Sequence, residues 1–519
     1  MGHKVSIVIL ADKTEHLSEC MESVLKQNHQ DIEVICVTDS SNKDIFDRVH
    51  QHQDKRVRYL DLNEGELAEG YNKALEQATG EFVLLLNSDS ILKPEMVEKM
   101  LAAADKSDII ISGYTEVQDN GNTNNVRYSN DFKKSPLTVQ KQKNIYDLMF
   151  PGPWNKLIRL DLVKKNKLTL ERTEGFYTFV QFLFLCFCYA KDIKVIDDAL
   201  LRSPNHVFRE SFSDEKTYIN LIKQIDSVFQ QIKKRNLGSC WDAFTATGRQ
   251  LLRKIIVSHP VWRLRQLLPL IQKNMSPDAF DRIFYQDRSF YACKAVAIII
   301  PAYNAEATLA RCLDSACQQT LKDIEIICID DGSTDDTLNI LNEYARKDNR
   351  ITVLHQENSG QAIARNKGLR VAAGEYIQFL DADDYLDPDA CEILYLYSRL
   401  ADLDMCLLMS TLRNGNGDKI ESWAAPGANL PNLLKVVKFV TFNKNSLGTR
   451  IAELCHAPWA TFYKRRFLLN YNISFINKRI TYCEDLPFFI ICVLKANNIG
   501  MFTSPVYNYV RGGRNTMTA

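Results

Sequence analysis

The sequence lacks a charge imbalance, a zinc motif and a membrane-length apolar run. Lys+Arg and Asp+Glu each number 64 among 519 residues, so no global field favours nucleic acid as a partner. The 14 cysteines form no Cys-x-x-Cys pair and have no histidine partners at zinc spacing. Many lie in apolar runs, which is typical of reduced core residues in a cytoplasm. The first apolar stretch is too short for a signal peptide and no later one suits a membrane span, so we expect a cytoplasmic protein.

What the sequence does contain is an internal repeat. The offset between the copies drifts only from 291 (296−5) to 294 (374−80) residues. The paired stretches are Val5–Ile9 with Val296–Ile300, Asp31–Asp39 with Asp323–Asp331, Asn72–Leu75 with Asn366–Leu369, and Gly80–Asp89 with Gly374–Asp383. We therefore predict two copies of one domain, at 1–204 and 293–519, joined by a linker at 205–292.

Each copy alternates short apolar strands with helical stretches. In the second copy, a helix is predicted over 306–318 and a strand over 351–354. Buried strands separated by helices indicate a mostly parallel sheet covered on both faces, which is a Rossmann-like α/β domain. The correspondence extends past the sheet, because Pro153-Trp154-Asn155 answers Pro458-Trp459-Ala460. The predicted fold is therefore two Rossmann-like α/β domains in tandem.

The linker has helical periodicity and no counterpart in the second copy. It contains no acidic residue between Asp242 and Asp278, whereas basic residues alternate with apolar ones over 249–273. Such a stretch fits a basic amphipathic surface in peripheral contact with an anionic membrane. A helical linker whose apolar face packs between the domains is the alternative.

An acidic cluster ends the predicted central strand of the second copy. The apolar run Tyr376–Leu380 leads directly into Asp381, Asp383 and Asp384. Ligands of open α/β sheets bind beyond the carboxyl ends of strands, so these acids are placed to hold a divalent cation against a phosphorylated ligand. If the chain stays extended, Asp381 and Asp383 share one side and Asp384 points elsewhere. The alternative is a helix start at Asp387-Pro388, which accounts for fewer of the acids.

Five motifs of the second copy, in this order, resemble the family-2 glycosyltransferases of the GT-A fold. They are Ile299-Ile300-Pro301-Ala302-Tyr303-Asn304-Ala305-Glu306, Asp330-Asp331-Gly332-Ser333, Ala364-Arg365-Asn366-Lys367-Gly368, Asp381-Ala382-Asp383-Asp384 and Glu484-Asp485-Leu486-Pro487. The resemblance covers nearly all of the second copy and, more weakly, the first. It implies two GT-A glycosyltransferase domains in tandem.

The resemblance also implies a donor site for a nucleotide sugar. Asp383 would bind Mg2+ or Mn2+, and Asp381 would hold the ribose side of the donor and help to place the ion. A bridging cation stabilises negative charge on the leaving diphosphate. The implied donor-binding set is Pro301, Ala302, Tyr303, Glu306, Asp331, Arg365, Asp381, Asp383, Arg511 and Arg514.

Four members of this set have ordinary structural alternatives. Asp331 would accept a hydrogen bond from uracil, but a loop carboxylate that caps a helix has the same sequence. Arg365 would reach phosphate, but an exposed helical arginine looks the same. The basic residues Arg511 and Arg514 would lie over the diphosphate, or would belong to a flexible basic tail.

An acceptor hydroxyl needs a general base, because its own pKa is high. By resemblance this base is Asp485, with Glu484 beside it. The alternative is two solvated acids in the first turn of a helix, where negative charge is favourable. A base opposite the leaving group implies inversion at the anomeric carbon.

The first copy departs from the pattern where chemistry needs it. Asn87-Ser88-Asp89-Ser90 stands for the acidic cluster, and Leu10-Ala11-Asp12 for Pro301-Ala302-Tyr303. Thr178 and Phe179 align with Glu484 and Asp485, and a phenylalanine cannot take a proton. Asp39 and Asp89 would still allow weak nucleotide binding, and Glu174 would supply a displaced base. We expect a degenerate first domain.

The leading hypothesis is an inverting hexosyltransferase with a catalytic second domain. It would move a sugar from a nucleotide-diphosphate sugar, with uridine the expected base, to a glycan, lipid-linked or protein acceptor in bacterial surface polysaccharide synthesis. Two alternatives remain: a polymerase with both domains active, and a non-catalytic carbohydrate-binding or assembly protein. A nucleotidyltransferase is disfavoured, because the sequence has no early glycine-rich basic loop for a triphosphate.

Overall fold

The chain folds into two compact units, which are described separately. The computed structural model describes residues 3–11, 16–38, 44–45, 54–62, 67–117, 122–128, 132, 137–139, 145–149, 152–171, 178–204, 215–257, 264–285, 294–415, 418–424, 441–442, 457–476 and 485–511. The first unit comprises 1–252 with 271–283, and the second comprises 253–270 with 284–519. Both units thus take part of the predicted linker, and the predicted domain boundaries stay a prediction.

The first unit is built on a mixed nine-stranded sheet. Its strands are β1 (Val5–Ala11), β2 (Ile32–Thr38), β3 (Val57–Asp61), β4 (Phe82–Asn87), β5 (Ile91–Leu92), β6 (Ile109–Val117), β7 (Thr123–Val126), β8 (Lys156–Arg159) and β9 (Ile193–Pro204). The strand order is β3-β2-β1-β4-β8-β6-β9-β5, and β7 pairs with β6. Its helices are α1 (Leu17–Leu25), α2 (Leu67–Gln77), α3 (Met96–Ala102), α4 (Tyr146–Met149), α5 (Leu160–Lys165) and α6 (Thr178–Tyr189).

The segment predicted as a linker is helical in its described residues. Its helices are α7 (Glu215–Lys234), α8 (Trp241–Val257), α9 (Leu264–Asn274) and α10 (Pro277–Tyr285). Arg249 is partly buried and donates from Nε to the carbonyl of Ile283 at 2.7 Å. Most other side chains of the predicted membrane-contact stretch lie outside the described residues, so that contact stays a prediction. No helix in the described part of the chain is long and apolar enough to cross a membrane.

The second unit repeats the same architecture in a ten-stranded sheet. Its strands are β10 (Val296–Ala302), β11 (Ile324–Asp330), β12 (Ile351–His355), β13 (Tyr376–Phe379), β14 (Tyr385–Leu386), β15 (Met405–Arg413), β16 (Lys419–Ala424), β17 (Thr441–Phe442), β18 (Thr461–Lys464) and β19 (Ile499–Val510). The order is β12-β11-β10-β13-β18-β15-β19-β14, with β16 on β15 and β17 on β19. Its helices are α11 (Leu309–Cys317), α12 (Thr337–Lys347), α13 (Gln361–Val371), α14 (Ala390–Leu400), α15 (Arg465–Asn470) and α16 (Asp485–Lys495).

The central strands β1 and β10 are buried along their whole length. Such strands have helices on both faces, which explains why they read as continuous apolar runs. The neighbouring strands β11, β12 and β13 are parallel to β10 or to each other, whereas β18 is antiparallel to β13 and β15. The predicted parallel sheet is therefore the first half of a mixed sheet. The carboxyl ends of β10, β11 and β13 share one edge, where the predicted donor site lies.

The two units share long-range hydrogen bonds as well as strand order. Asn366 of α13 donates to the carbonyl of Phe475 and accepts from its N–H, both at 2.9 Å. Asn72 of α2 makes the same two bonds to Leu170, at 2.9 and 2.8 Å. A buried amide that satisfies both polar groups of one distant residue fixes the chain against the helix. These paired contacts confirm the repeat at the level of side chains.

Replacement of Asn366 by alanine is expected to destabilise the second unit. The N–H and C=O of Phe475 would both lose their partner, and each such loss costs about 1–3 kcal/mol. The free energy of unfolding, measured by urea titration, should fall by about 2–4 kcal/mol. Asn342→Ala, at an exposed position of α12, is the control. Equal urea midpoints for the two variants would show that the contact contributes little.

Candidate active site

The acidic cluster lies in a turn. Strand β13 ends at Phe379, and the N–H of Asp384 donates to the carbonyl of Asp381 at 3.0 Å. Strand alternation therefore does not govern where these side chains point. Asp387 accepts a hydrogen bond from Asn508 at 2.9 Å, and α14 begins later, so the alternative helix start at that residue is wrong.

Asp384 anchors the last long strand to this turn. Its carboxylate is buried and accepts hydrogen bonds from the Tyr507 hydroxyl at 2.7 Å and from the Val510 N–H at 2.8 Å. Burial, followed by the nearby Asp383 and Asp381 charges, raises the pKa of Asp384 well above its ordinary value. The same tyrosine hydroxyl accepts the Asp381 N–H at 3.2 Å. Asp384 therefore holds β19 against the turn that carries the other two acids.

Arg365 joins the acidic cluster to the predicted general base. Its guanidinium donates to Asp381 Oδ1 at 2.8 Å and to Asp485 Oδ1 at 2.7 Å. The side chain is only 1% exposed, so the alternative of an exposed helical arginine is wrong. Asp485 is the first residue of α16 and remains partly exposed. One buried cation thus brings a donor-side carboxylate and the candidate base to the same place.

Asp383 is a further acid of this cluster whose pKa is raised by its surroundings. Its carbonyl oxygen accepts from Arg311 at 2.8 Å. Burial and then the Asp381 charge raise the pKa of the Asp383 carboxyl to about 6, against a smaller lowering effect of Arg311. Two adjacent carboxylates that repel each other are a suitable ligand pair for a hard cation.

Asp381 and Asp383 fit a metal that is completed by other oxygens. Mg2+ keeps several waters and commonly takes one or two carboxylates together with substrate phosphates. Among the described residues, no group of three or more His, Cys, Asp or Glu side chains is arranged to hold a metal. The pair therefore suits an ion that arrives with, or is shared by, a diphosphate.

Asp331 supports the helix that carries Arg365. Its carboxylate accepts from the N–H groups of Ser359 and Gly360 at 2.9 and 2.8 Å, and from Gln356 Nε2 at 2.7 Å. Gly360 precedes α13 with φ of 96°, a left-handed conformation that glycine adopts readily. The structural alternative for Asp331 therefore has support, although the helix involved is α13. A uracil contact stays a prediction.

The end of β10 presents an aromatic ring beside this edge. Pro301 and Ala302 are buried in the strand, and Tyr303 immediately after it is 48% exposed. Glu306 is used locally, because its Oε2 accepts the Asp336 N–H at 3.1 Å. Tyr303 is thus available to stack on a base, whereas direct donor contact by Glu306 has no support in these contacts.

Only some of the remaining predicted site residues lie in the described part of the chain. Glu484 and Arg514 lie outside the described residues, as do Asp39 and Glu174 of the first unit. Arg511 is exposed directly after β19, and its N–H donates to the Arg413 carbonyl at 2.8 Å.

The first unit has aromatic rings where the second has its ion pairs. Tyr71 directly precedes Asn72 as Arg365 precedes Asn366, and Phe179 corresponds to Asp485 in the repeat. The rings of Tyr71 and Phe179 meet edge-on at 5.3 Å, and Trp154 packs on Phe179 at 5.2 Å. The sequence therefore contained a signal for the Arg365 contact that we missed: the cation and the acid are replaced together between the copies.

The other side chains that form the hydrogen bonds of the acidic cluster are also replaced by uncharged ones in the first unit. The replacements are Asn87 for Asp381, Ser90 for Asp384 and Leu201 for Tyr507. The Ser90 hydroxyl donates to Asn87 in the same tight turn. Asp89, the counterpart of Asp383, keeps its carboxylate and is buried.

Both units are similar in sequence to known proteins. The family model described as "Glycosyl transferase family 2" matches residues 6–166 and 297–448. The chain belongs to glycosyl transferase family 2. Its two α/β units are GT-A domains in tandem, as predicted. The second match ends before Asp485, so the base assignment rests on the contacts described above.

Two curated relatives illustrate the similarity. Over 222 residues the chain is 31% identical to the putative glycosyltransferase EpsH of Bacillus subtilis, which covers 41% of this chain and 60% of the relative. Over 272 residues it is 32% identical to the chondroitin synthase of Pasteurella multocida, covering 52% of this chain and 24% of that protein. The chain thus spans less than two thirds of these relatives. The crystal structure of S. aureus TarS in complex with UDP aligns at 24% identity and a TM-score of 0.35, covering 41% of this chain and 60% of that one.

Replacement of Asp383 by asparagine is expected to stabilise the protein above pH 6 in the absence of divalent cations. The folded-state pKa of about 6 exceeds the ordinary value of 3.8, so the wild type loses stability as pH rises between these values. Asp383→Asn should raise the free energy of unfolding by roughly 1–3 kcal/mol at pH 7.5 and change it little near pH 4. Urea titrations at both pH values measure this, with Asp418→Asn at an exposed turn as the control for charge loss. A gain that is independent of pH would contradict the assigned pKa.

Proposed function

We propose that the chain is an inverting glycosyltransferase whose second unit transfers a sugar from a nucleotide-diphosphate sugar. The observation that carries this proposal is the Arg365 bridge, which holds Asp381 and Asp485 at one site. Transfer needs a group that receives the donor diphosphate and a base that receives the acceptor proton, both within reach of the same anomeric carbon. In this proposal Asp381 has the first role and Asp485 has the second.

Asp485 acts as the base in this proposal. It is partly exposed at the start of α16, so an acceptor hydroxyl can approach it. Its oxygen deprotonates that hydroxyl as the new glycosidic bond forms. The transition state has oxocarbenium character, with positive charge on the ring and negative charge on the leaving diphosphate. Attack opposite the leaving group inverts the configuration at the anomeric carbon.

Asp381 and Asp383 receive the donor in this proposal. A divalent cation, Mg2+ or Mn2+, would supply charge neutralisation for the leaving diphosphate when bound between them. Asp381 is oriented by Arg365 and by Gln361 Nε2 at 3.2 Å. Tyr303 offers its exposed ring to the base of the nucleotide, which we propose to be uracil. Arg511 lies at the end of β19, which Asp384 ties to the same turn, and would contact the diphosphate.

A glycan or a lipid-linked glycan is the proposed acceptor class. The similarity to a protein named chondroitin synthase supports a growing polysaccharide, and the bacterial origin of these relatives supports a surface polysaccharide. The first unit is proposed as a non-transferring module, because Tyr71 and Phe179 replace both ends of the ion pair.

Replacement of Asp485 by asparagine is expected to lower kcat at least 100-fold, because the amide cannot accept the proton. Affinity for the nucleotide with manganese should change little in this variant. Asp383→Ala should instead weaken that affinity and also abolish transfer. A radiolabelled-donor assay and calorimetry with uridine diphosphate plus Mn2+ measure these effects.

Asp402→Asn is the matched control for both variants, since this side chain is exposed and pairs only with Lys464 among the contacts resolved here. It should retain wild-type transfer and nucleotide affinity. Full activity of Asp485→Asn would overturn the assignment of the base.

Replacement of Asp89 by asparagine in the first unit is expected to leave the rate, the donor choice and the product unchanged. This acid lacks the neighbouring carboxylate and the arginine bridge that Asp383 and Asp381 have in the second unit. Product analysis by mass spectrometry with mixed donors measures the outcome. Loss of one of two incorporated sugars would instead support a polymerase in which both units are active.

A further inference from the structure

Helices α6 and α16 occupy the same place in their units but have different surroundings. Each is followed after three residues by the last long strand, which begins at Ile193 in one unit and at Ile499 in the other. Positions in α6 and α16 therefore correspond at an offset of 306 (499−193). Every residue of α6 from Thr178 to Cys188 is buried. In contrast, α16 exposes Ile490, Ile491 and Leu494.

The covering elements of α6 are α7 and α8. Helix α7 packs on α6 along an apolar stripe. Its buried residues are Tyr218, Leu221, Ile222, Ile225, Val228, Phe229 and Ile232. Phe184 of α6 meets Phe244 of α8 at 6.3 Å between ring centroids, and the Cys188 thiol lies beside that of Cys240, the residue before α8. The apolar face of α6 is thus sealed by two further helices.

Residues that precede α6 also contact α7 and the residue that follows it. Glu171, just before α6, accepts from the Ser227 hydroxyl of α7 at 2.6 Å. At the other end of α7, Arg235 donates to the Asn166 carbonyl at 2.7 Å. Arg235 also donates to the Lys167 carbonyl at 3.3 Å and lies 6.0 Å from the centre of the Tyr189 ring. Contacts to the covering segment therefore include positions 166, 167, 171, 184, 188 and 189 of the first unit.

Four of these positions, 166, 171, 184 and 188, have exposed apolar counterparts in the second unit, whereas 167 and 189 correspond to Asn472 and Lys495. Position 166 corresponds to 471, because Lys167 and Asn472 share the left-handed conformation with φ of 49° and 50°. Position 171 corresponds to 476, because Leu170 and Phe475 make the same bonds to the paired asparagines. With the offset of α16, the set is Tyr471, Ile476, Ile490 and Leu494, and Ile491 extends it.

We call these five residues the docking face. Their side chains are between 37% and 52% exposed, and they make up five of the nine large apolar residues that are exposed in the described part of the chain. Single exposed apolar residues are ordinary, but such a concentration marks an interaction surface. The repeat further shows what kind of element this surface receives, since the same positions bind helices in the first unit.

The rim of the docking face is basic. Lys495 lies at the face, with Nζ 5.7 Å from the centre of the Tyr471 ring, and the segments 465–476 and 485–495 contain two further cations, Arg465 and Arg466. The only carboxylate in these segments is Asp485, which already accepts from Arg365. Like charges on the rim oppose pairing with a second copy of the same face, whereas acidic residues would complement it.

We propose that the docking face binds an amphipathic α-helix with acidic flanks that belongs to a partner protein. Such a helix would lie across α16 as α7 lies across α6, with an apolar stripe over Ile490 and Ile491 and acids toward Lys495. Because α16 begins with Asp485, the partner helix would rest on the element that carries the proposed base. The inference depends on the repeat and does not depend on the proposed transfer reaction.

A peptide taken from α7 tests this proposal. The probe is the 215–234 sequence with Lys223, Lys233 and Lys234, which are exposed in the chain, replaced by glutamate. Fluorescence anisotropy should show binding to the full chain with a micromolar Kd, and at least tenfold weaker binding of the unmodified peptide. Amide hydrogen exchange along 485–495 should slow when the acidic peptide is bound.

The double variant Ile490→Ser/Ile491→Ser should weaken binding of the acidic peptide at least tenfold. Val371→Ser, at an exposed apolar residue outside the face, should bind as wild type. The exchange measurement on the wild type needs no variant and so is independent of any folding defect. No protection of 485–495 at millimolar peptide would overturn the proposal. Two other results would overturn it if no peptide binding is observed. One is binding to anionic vesicles that the double variant abolishes, and the other is concentration-dependent dimerisation that the double variant abolishes.

Discussion

The buried guanidinium of Arg365 is the group on which the site of the second unit depends. It lies between two carboxylates that come from distant parts of the chain, and it has almost no contact with solvent. Removing one partner from a buried ion pair leaves an uncompensated charge, which is strongly destabilising. The two ion pairs of Arg365 therefore fix the turn after β13 and the start of α16 relative to each other. The proposed catalysis needs this arrangement.

The first unit shows how such a site is lost without loss of the fold. Replacing both members of a buried ion pair by packed apolar groups can be nearly neutral in energy, whereas replacing one is costly. Tyr71 and Phe179 are a joint replacement of this kind, in which the Tyr71 hydroxyl is satisfied by the Leu86 carbonyl at 2.7 Å and Trp154 packs against Phe179. The scaffold contacts that do not bear on transfer, such as the bonds of Asn72 to Leu170 and of Asn366 to Phe475, are kept in both units. The two units thus separate the residues that hold the fold from those that hold the site.

The fold was predictable because its signals are local or repeated. Buried strands such as β1 and β10 are continuous apolar runs, and the two copies run in register. The contact of Arg365 with Asp485 and that of Tyr507 with Asp384 join residues more than a hundred positions apart and leave no periodic pattern. The only sequence signal for the first of them is the joint replacement of both residues in the first copy, by Tyr71 and Phe179. The docking face was missed for a related reason: α16 reads as a buried apolar helix, and only comparison with the covered α6 shows that part of it faces solvent.

Anomalous diffraction from crystals soaked with Mn2+ and uridine diphosphate tests the central claim most directly. If the second unit alone retains the donor site, the manganese peak lies between the carboxylates of Asp381 and Asp383, with the diphosphate bound to it. No peak then appears beside Asn87 and Asp89 in the first unit. A peak in the first unit with none beside Asp383 would contradict the account.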